Sequence, residues 1–179
     1  MQITKEILEK IMVNAKQSDI ENFVEPLNII MEKYEINTPL RIAHFLAQVG
    51  HESGSLRYKE EIASGKAYEG RRDLGNTQPG DGRKFKGHGL IQITGRYNHT
   101  QYANFVNDKD LIDNPQRIGN EPLHSAGAAG WYWMTRNLNV LADKNDIKAI
   151  TKKINGGLNG FNDRKNYFDR AYDVLKNIS

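Results

Sequence analysis

The sequence RIAHFLAQVGHESG, residues 41–54, determines more of the fold than any other part of the chain. Its apolar residues recur three, four and seven positions apart, which is the spacing of a helical face buried in a core. Thr38 and Pro39 just before it are typical of a helix start, with threonine at the N-cap and proline at the first helical position. The residues of the predicted buried face are Ile42, Phe45, Leu46 and Val49. We therefore expect a mainly α protein packed around this helix.

Glu52 lies seven residues after Phe45, so the helical period puts it on or beside the same apolar face. A carboxylate there loses hydration, and burial disfavours its charged form. A carboxylic acid that stays protonated near neutral pH is what a general acid needs. The alternative is that the helix frays at Gly50 and that Glu52 points into water. The periodicity alone leaves both interpretations open.

The remaining apolar pattern also predicts helices, each with an aliphatic or aromatic stripe. Ser18 and Glu21 have the spacing of a capping box, and Pro26 should end or kink the helix that they open. Asn162 or Asp163 should cap the last helix. The predicted helices cover residues 4–16, 18–25, 27–34, 122–137, 145–155 and 162–178. The chain length fits one domain over residues 1–179, without room for a separate binding domain.

The segment from Ser53 to Gly89 is rich in glycine and charged residues, which predicts loops and a small β-hairpin. A loop region of this length in a compact domain is usually functional or disordered, and its start beside Glu52 favours function. Glycoside hydrolysis requires a second carboxyl group opposite the acid. The candidates in this segment are Glu60, Glu61, Glu69, Asp73 and Asp81. Their spacing alone does not choose among them.

The stretch FKGHGLIQIT, residues 85–94, predicts either a short strand or the entry to a buried helix. Gln92, Thr94 and Asn98 would place three neutral hydrogen-bonding groups near one another. An enzyme with paired carboxylates would need such groups, with Asn155, to converge on the acid and base. A helical binding module without activity would not need them to converge.

Several other classes of site have no supporting motif. Ser55 occupies the position of the second histidine in an HExxH zinc motif, and no GxSxG or phosphate-binding loop is present. The net charge of +3 is spread among mixed charges, without a basic block typical of nucleic-acid binding. No apolar run approaches the roughly 18 residues of a membrane span. We therefore expect no metal, no other cofactor, no nucleic-acid partner and no membrane insertion.

Four stretches resemble family 19 glycoside hydrolases, which include plant and bacterial chitinases and many bacteriophage endolysins. They are AHFLAQVGHESG with RYKEE, FKGHGLIQITGRYNH, AGWYWMT, and ITKKINGG with FNDR, and they occur in family order. The resemblance implies a lysozyme-like, two-lobed helical fold with a cleft. It also implies cleavage of β-1,4 links in N-acetylated amino-sugar polymers with inversion, for which the two carboxyl groups should lie about 6.5–9.5 Å apart.

The resemblance also implies roles for individual residues. Glu52 would be the general acid, Glu61 nine residues later the general base, and Thr94 the residue that holds the attacking water with Gln92 or Asn155. His88 departs from the family pattern, because an arginine is common at that position. The residues expected to bind substrate are His51, Tyr58, Gln92, Tyr97, Asn98, Asn155 and Arg164.

The stretch YEGRRDLGNTQPGDG resembles the phage and bacterial branch of the family more than the plant branch. The preferred substrate is bacterial peptidoglycan, because the mildly basic chain suits an acidic cell wall and its lack of cysteine and of a signal region suits a protein stored in an infected bacterium. The N-terminus lacks an apolar signal region and the chain lacks cysteine, so we expect synthesis in a host bacterial cytoplasm. Release to the cell wall would follow, and the enzyme would act as a monomer. Chitin or a chitin oligosaccharide is the alternative substrate. A wall-binding protein that kept the fold and lost activity is the alternative without catalysis.

Overall fold

The structure is a computed structural model, and it describes residues 1–178. Its α-helices are α1 (Lys5–Ile11), α2 (Gln17–Lys33), α3 (Pro39–Ser53), α4 (Asp81–Lys84), α5 (Arg96–Phe105), α6 (Asp110–Asp113), α7 (Gln116–Asn120), α8 (Pro122–Thr135), α9 (Leu138–Asp143), α10 (Ile147–Asn155) and α11 (Phe161–Leu175). Two single turns of 3₁₀ helix, Lys66–Tyr68 and Arg72–Leu74, lie in the glycine-rich segment. The mainly helical fold class is therefore confirmed.

Helix α3 is the centre of the core, as its apolar period predicts. The Thr38 hydroxyl accepts a hydrogen bond from the Arg41 amide at 3.1 Å, and Pro39 occupies the first helical position. The four residues of the predicted face are fully buried. The helix packs most extensively against α11, where a side chain on Gly50 would come within 2.5 Å of the Tyr167 ring. Glycine at position 50 therefore allows the two helices to approach closely.

The helix starts predicted at Ser18 and at Asn162 or Asp163 are wrong, and so is the predicted end of a helix at Pro26. Helix α2 begins after Lys16 and runs unbroken through Pro26, and α11 begins after Gly160. Proline removes one backbone hydrogen bond, but the affected acceptor belongs to Asn22, which is exposed to solvent. The apolar face continues on both sides of the proline and buries Phe23 and Leu27. Packing of this face outweighs the local cost of the proline.

The predicted β-hairpin is not confirmed. Within residues 1–178 the antiparallel pairing consists of isolated bridges, one between Glu60 and His88 and one between His88 and Ile93. His88 takes part in both bridges, so three short stretches of chain are joined at one residue. This junction connects the segment that contains Glu61 to the turn that contains Gln92.

The glycine-rich segment is ordered by side chains that bind backbone and one another. The buried carboxylate of Asp81 accepts two hydrogen bonds from Arg96, at 2.8 and 2.9 Å. This pairing holds the pKa of Asp81 below its usual range. The Glu69 carboxylate accepts from the amides of Gly80 and Gly82, which keeps the pKa of Glu69 low. Polar bonds to helix α5 and within the loop therefore replace an apolar core here.

None of the helices in residues 1–178 is long and apolar enough to cross a membrane.

Candidate active site

Glu52 lies in the last turn of α3, which is regular through Ser53 and ends at the left-handed residue Gly54. The alternative that the helix frays at Gly50 is therefore wrong. The Glu52 side chain is 19% exposed, and its Oε1 accepts a hydrogen bond from the Arg164 Nη2 at 2.8 Å. The carboxyl group is thus partly accessible and held in one orientation by a buried guanidinium.

The Arg164 guanidinium makes two further hydrogen bonds that fix its own position. Its Nη1 donates to the Gln48 Oε1 at 2.6 Å, and its Nε donates to the Asn159 carbonyl at 3.1 Å. The Asn155 Oδ1 accepts from the Asn159 amide at 3.2 Å. Asn155 is therefore connected to Glu52 through the loop before α11, and these two predicted residues belong to one hydrogen-bonded unit.

The chain reverses direction directly after Glu52 in a left-handed turn. Gly54, Ser55 and Leu56 have φ values of 56°, 60° and 70°. Non-glycine residues rarely adopt this conformation, and it persists only where the surroundings enforce it. Here Leu56 is fully buried, and the Ser55 hydroxyl bonds the Tyr167 hydroxyl at 2.5 Å. The turn leads the chain back along the site to Glu61.

Glu61 is held by donors from two other parts of the loop segment. The Tyr68 hydroxyl lies 3.1 Å from each carboxylate oxygen, and the Gly87 amide donates to the Oε1 at 3.1 Å. Burial raises the pKa of Tyr68, and the charge of Glu61 raises it further, so the phenol keeps its proton. Tyr68 was not predicted from the sequence, which contains no motif that connects it to Glu61. Glu61 is therefore a carboxylate with a fixed orientation.

Glu60 and Glu69, the other candidates for the base, are engaged elsewhere. The Glu60 Oε1 lies 3.3 Å from the His88 Nε2. Glu69 binds the two glycine amides described above. Of these three glutamates, Glu61 is the one whose carboxylate bonds the Gly87 amide and lies against the Gln92 turn.

Gln92 lies directly beside Glu61. A side chain on Gly87 would come within 2.7 Å of the Gln92 Oε1 and 3.1 Å of the Glu61 Oε1, so both groups lie against the same glycine. Gln92 has a φ of 58°, and its Nε2 donates to the Gly89 carbonyl at 2.9 Å. The stretch predicted as a strand or a helix entry is instead a tight turn that directs Gln92 toward the carboxylate.

Thr94, at the end of this turn, and Asn98, in helix α5, bond to its backbone. The Thr94 hydroxyl donates to the Gln92 carbonyl at 3.0 Å, and the Asn98 Nδ2 donates to the Thr94 carbonyl at 3.2 Å. Because the Thr94 proton is used, the lone pairs of its oxygen remain available to accept from a water molecule. The side chains of Thr94 and Asn98 are therefore bonded to backbone carbonyl groups of the Gln92 turn.

A groove of about 680 Å³ continues from Asn98 between α5 and α8. Tyr97, Trp131 and Arg136 line it, and the Tyr97 side chain is 61% exposed. The Arg136 guanidinium stacks on Tyr132, 3.4 Å from the ring centroid. The pKa of Tyr132 is raised, mainly by burial. Arg136 opposes this shift, and the charge of Glu52 adds to it. The groove itself offers aromatic and amide side chains to a ligand.

Two predicted substrate-binding residues lie at the edges of the site. The His51 Nδ1 is 2.7 Å from an Asp163 carboxylate oxygen, and the His51 ring packs over Gly160. Tyr58 is 46% exposed, and its ring packs against Gly54. Among residues 1–178, neither side chain hydrogen-bonds to Glu52 or Glu61. They frame the turn between the two carboxyl groups.

No group of three or more histidine or acidic side chains in the described part of the chain is arranged to hold a metal ion.

The sequence model of the family described as chitinase class I matches residues 35–148, which is more than half of the chain. The chain belongs to glycoside hydrolase family 19. The matched range contains Glu52, Glu61 and Thr94, whereas Asn155 and Arg164 follow it. The family predicted from the four motifs is therefore confirmed.

Two relatives illustrate how far the similarity extends. A family 19 domain-containing protein of Haemophilus influenzae is 29% identical over 99% of this chain and 98% of its own length. An endochitinase of Arabidopsis thaliana is 40% identical over 65% of this chain. The alignment covers 39% of that plant protein, so this family 19 chain corresponds to a part of it. Family membership and these relatives indicate a glycosidase.

Solved structures confirm the lysozyme-like fold. A bacterial family 19 chitinase superposes with a TM-score of 0.80 at 19% identity, over 97% of this chain and 94% of the other. A class IV chitinase from Zea mays superposes with a TM-score of 0.77 at 21% identity, over 97% and 92%. At these identities the similarity establishes the shared fold.

We predict that Arg164→Lys will lower both turnover and stability. A lysine ammonium cannot replace the planar guanidinium that binds Gln48, Glu52 and Asn159 together, so buried acceptors lose their donors. We expect a loss of roughly tenfold or more in kcat and of about 1–3 kcal/mol in the free energy of unfolding. Steady-state kinetics and urea denaturation measure both. Lys165→Arg, at the exposed neighbouring position of α11, is the matched control, and unchanged kcat in Arg164→Lys would contradict the prediction.

Proposed function

We propose that this family 19 glycosidase is an endo-acting hydrolase of bacterial peptidoglycan that cleaves β-1,4 links with inversion. The observation that carries the proposal is the pair of carboxyl groups, Glu52 and Glu61, each fixed by hydrogen bonds from a different part of the chain. Gln92 lies beside Glu61, the Thr94 hydroxyl bonds the Gln92 carbonyl, and Asn155 connects to Glu52 through Asn159 and Arg164. This convergence favours an enzyme over an inactive wall-binding protein.

In the proposed mechanism Glu52 donates a proton to the glycosidic oxygen while Glu61 removes a proton from a water molecule on the opposite face of the sugar. The Gly87 amide and the Tyr68 hydroxyl hold the Glu61 carboxylate toward that water. Thr94 supplies an acceptor for the water, and Gln92 supplies a second polar contact beside Glu61. Gln92 is favoured over Asn155 for this role, because Asn155 lies on the Arg164 side of the site.

Peptidoglycan is proposed as the substrate because its peptide stems carry carboxylates, whereas chitin is uncharged. Residues 63–86, which contact Glu61 through Tyr68, contain six basic and three acidic residues. This segment thus provides the net positive charge that an anionic polymer favours. We propose that the protein acts at the bacterial cell wall as a monomeric endolysin in phage-induced lysis. Chitin is the second candidate, because the plant relatives are endochitinases.

The test is incubation with purified peptidoglycan and, separately, with chitin, followed by mass spectrometry of the new reducing ends. We expect endo-type fragments from peptidoglycan. In proton NMR, the new reducing end formed from the β-linked substrate should appear first as the α-anomer. Cleavage of chitin alone would replace the proposed substrate by chitin, and a β-anomer would replace inversion by retention. If neither polymer gives new reducing ends, the protein is a wall-binding protein without catalytic activity. A preparation of the Glu52→Gln variant controls for contaminating hydrolases.

A further inference from the structure

The buried side chain of His88 occupies the junction between the Glu61 segment and the Gln92 turn. It is 2% exposed, and both of its ring nitrogens have partners. The Nδ1 lies 2.9 Å from the His99 Nε2, and the Nε2 lies 3.3 Å from the Glu60 Oε1. The proposed mechanism does not use this chain of groups.

In the linked side chains His99, His88 and Glu60, the position of each proton follows from which partner atoms can only accept a hydrogen bond. The His99 Nδ1 lies 2.8 Å from the Gly95 carbonyl, which only accepts, so this nitrogen carries the proton. Burial lowers the pKa of His99 to about 3, so its ring is neutral and its Nε2 accepts. The His88 Nδ1 must therefore be the donor to His99. A neutral His88 consequently has only a lone pair on its Nε2, facing the Glu60 carboxylate.

Two acceptors facing each other at 3.3 Å repel, so the contact between His88 and Glu60 requires one additional proton. When that proton is present, the His88 Nε2–H donates to the Glu60 Oε1 in a charge-assisted hydrogen bond. When it is absent, the Glu60 side chain, which is half exposed, is free to turn into solvent. The contact therefore closes as the pH falls and opens as it rises.

The same contact lies within the backbone pairing that orients Glu61. The Gly89 amide donates to the Lys59 carbonyl at 2.7 Å, and the Glu61 amide donates to the Gly87 carbonyl at 2.8 Å. The Gly87 amide then donates to the Glu61 carboxylate. A bond between Glu60 and His88 adds a side-chain connection between these two segments, Lys59–Glu61 and Gly87–Gly89.

We propose that His88 is a positioning residue for Glu61 and that its bond to Glu60 makes the activity depend on pH. The inference rests on the proposed role of Glu61 as the base. The charged groups that face His88 are Glu60 and Glu61, Lys86 and the His99 ring. Burial is the largest influence and lowers the pKa of His88, whereas Glu60 raises it. The bond is therefore present in acid and is lost as the pH rises through the lowered pKa of His88.

The decisive variant is Glu60→Gln, because a carboxamide N–H donates to the lone pair of neutral His88 without an additional proton. We expect the alkaline limb of the kcat/KM profile to move upward by about one pH unit in this variant. Glu60→Ala removes the bond at every pH, and we expect it to lose roughly three- to tenfold in kcat at pH 5. If the alkaline limb instead arises from proton loss at another group, it will lie at the same pH in the wild type and in Glu60→Gln.

Nitrogen-15 NMR of the histidine rings gives a readout that is independent of activity. We expect the His88 Nδ1 to be protonated throughout and its Nε2 to lose a proton as the pH rises in the wild type. His44, which is buried and bonded to the neutral side chain of Asn145, is the internal control. Burial lowers the pKa of His44 to about 4, so its ring should remain neutral between pH 5 and 8.

Superimposable pH profiles of the wild type and Glu60→Gln would overturn the inference, as would an unprotonated His88 Nε2 in acid. If NMR shows the expected protonation of His88 while Glu61→Gln retains normal turnover, the role of Glu61 is wrong and His88 does not position a base. If neither polymer is cleaved, the proposed function is wrong. If NMR shows no change in protonation at the His88 Nε2, the inference about His88 is wrong, whatever the activity.

Discussion

Glu52→Gln is expected to lower kcat by roughly a hundredfold to ten-thousandfold on either polymer, the range typical of a lost general acid. Glutamine keeps the shape of the side chain, and its Oε1 can still accept the hydrogen bond from Arg164. It has no acidic proton for the glycosidic oxygen. The variant should therefore bind substrate with a similar KM and fail at bond cleavage, which steady-state kinetics separates.

The leaving group distinguishes a lost acid from general damage to the site. An N-acetylglucosamine oligosaccharide with a 4-nitrophenyl leaving group needs little protonation, so Glu52→Gln should lose far less on this substrate than on the natural polymer. Glu9→Gln makes the same chemical change on the exposed face of α1 and is the matched control. Near-normal turnover of the polymer by Glu52→Gln would remove Glu52 from the mechanism.

The local signals in the sequence predicted the core helix, because its period and its cap depend on nearby residues. Thr38 caps α3, as the sequence predicts. The prediction failed at Pro26, where a local rule opposed the packing of a long apolar face. It also failed at the start of α11, where Gly160 rather than Asn162 or Asp163 precedes the helix. Tertiary packing determines such positions, and a local rule does not include it.

The site was predictable only where short motifs contain its residues. Glu52, Gln92 and Thr94 lie in two such motifs, and the structure gives each a defined partner. The resemblance to the family suggested Arg164, but its bond to Glu52 spans 112 residues and no local pattern indicates it. Tyr68 has no motif at all. Contacts of this kind become visible only when the chain is folded.

Backbone conformation explains why the turn after Glu52 could not be predicted. Ser55 and Leu56 adopt left-handed φ values that their own side chains disfavour. Burial of Leu56 and the hydroxyl bond from Ser55 to Tyr167 stabilise the turn. The same applies to Gln92, which is left-handed and faces Glu61. Non-glycine residues keep this conformation where the surrounding structure enforces it, as it does at these three positions.

Glu61→Gln is expected to lower kcat by roughly a hundredfold or more, because the amide cannot accept a proton from the attacking water. The Tyr68 hydroxyl and the Gly87 amide can still donate to the carboxamide oxygen of this variant, so the site should keep its geometry. A better leaving group does not replace the base, since the base acts on water. The 4-nitrophenyl substrate should therefore restore activity to Glu52→Gln and not to Glu61→Gln.

Comparison with Glu60→Gln tests which neighbouring carboxylate is the base. Because Glu60 contacts His88 rather than the Gln92 turn, its amide variant should lose less than about tenfold at pH 5 and differ mainly in its pH profile. A large loss in Glu60→Gln with near-normal turnover in Glu61→Gln would reverse the assignment. Equal, small losses in both variants would place the base elsewhere, with Glu69→Gln as the next measurement. The opposite responses of Glu52 and Glu61 to the leaving group would establish that one carboxyl group acts on the glycosidic oxygen and the other on water.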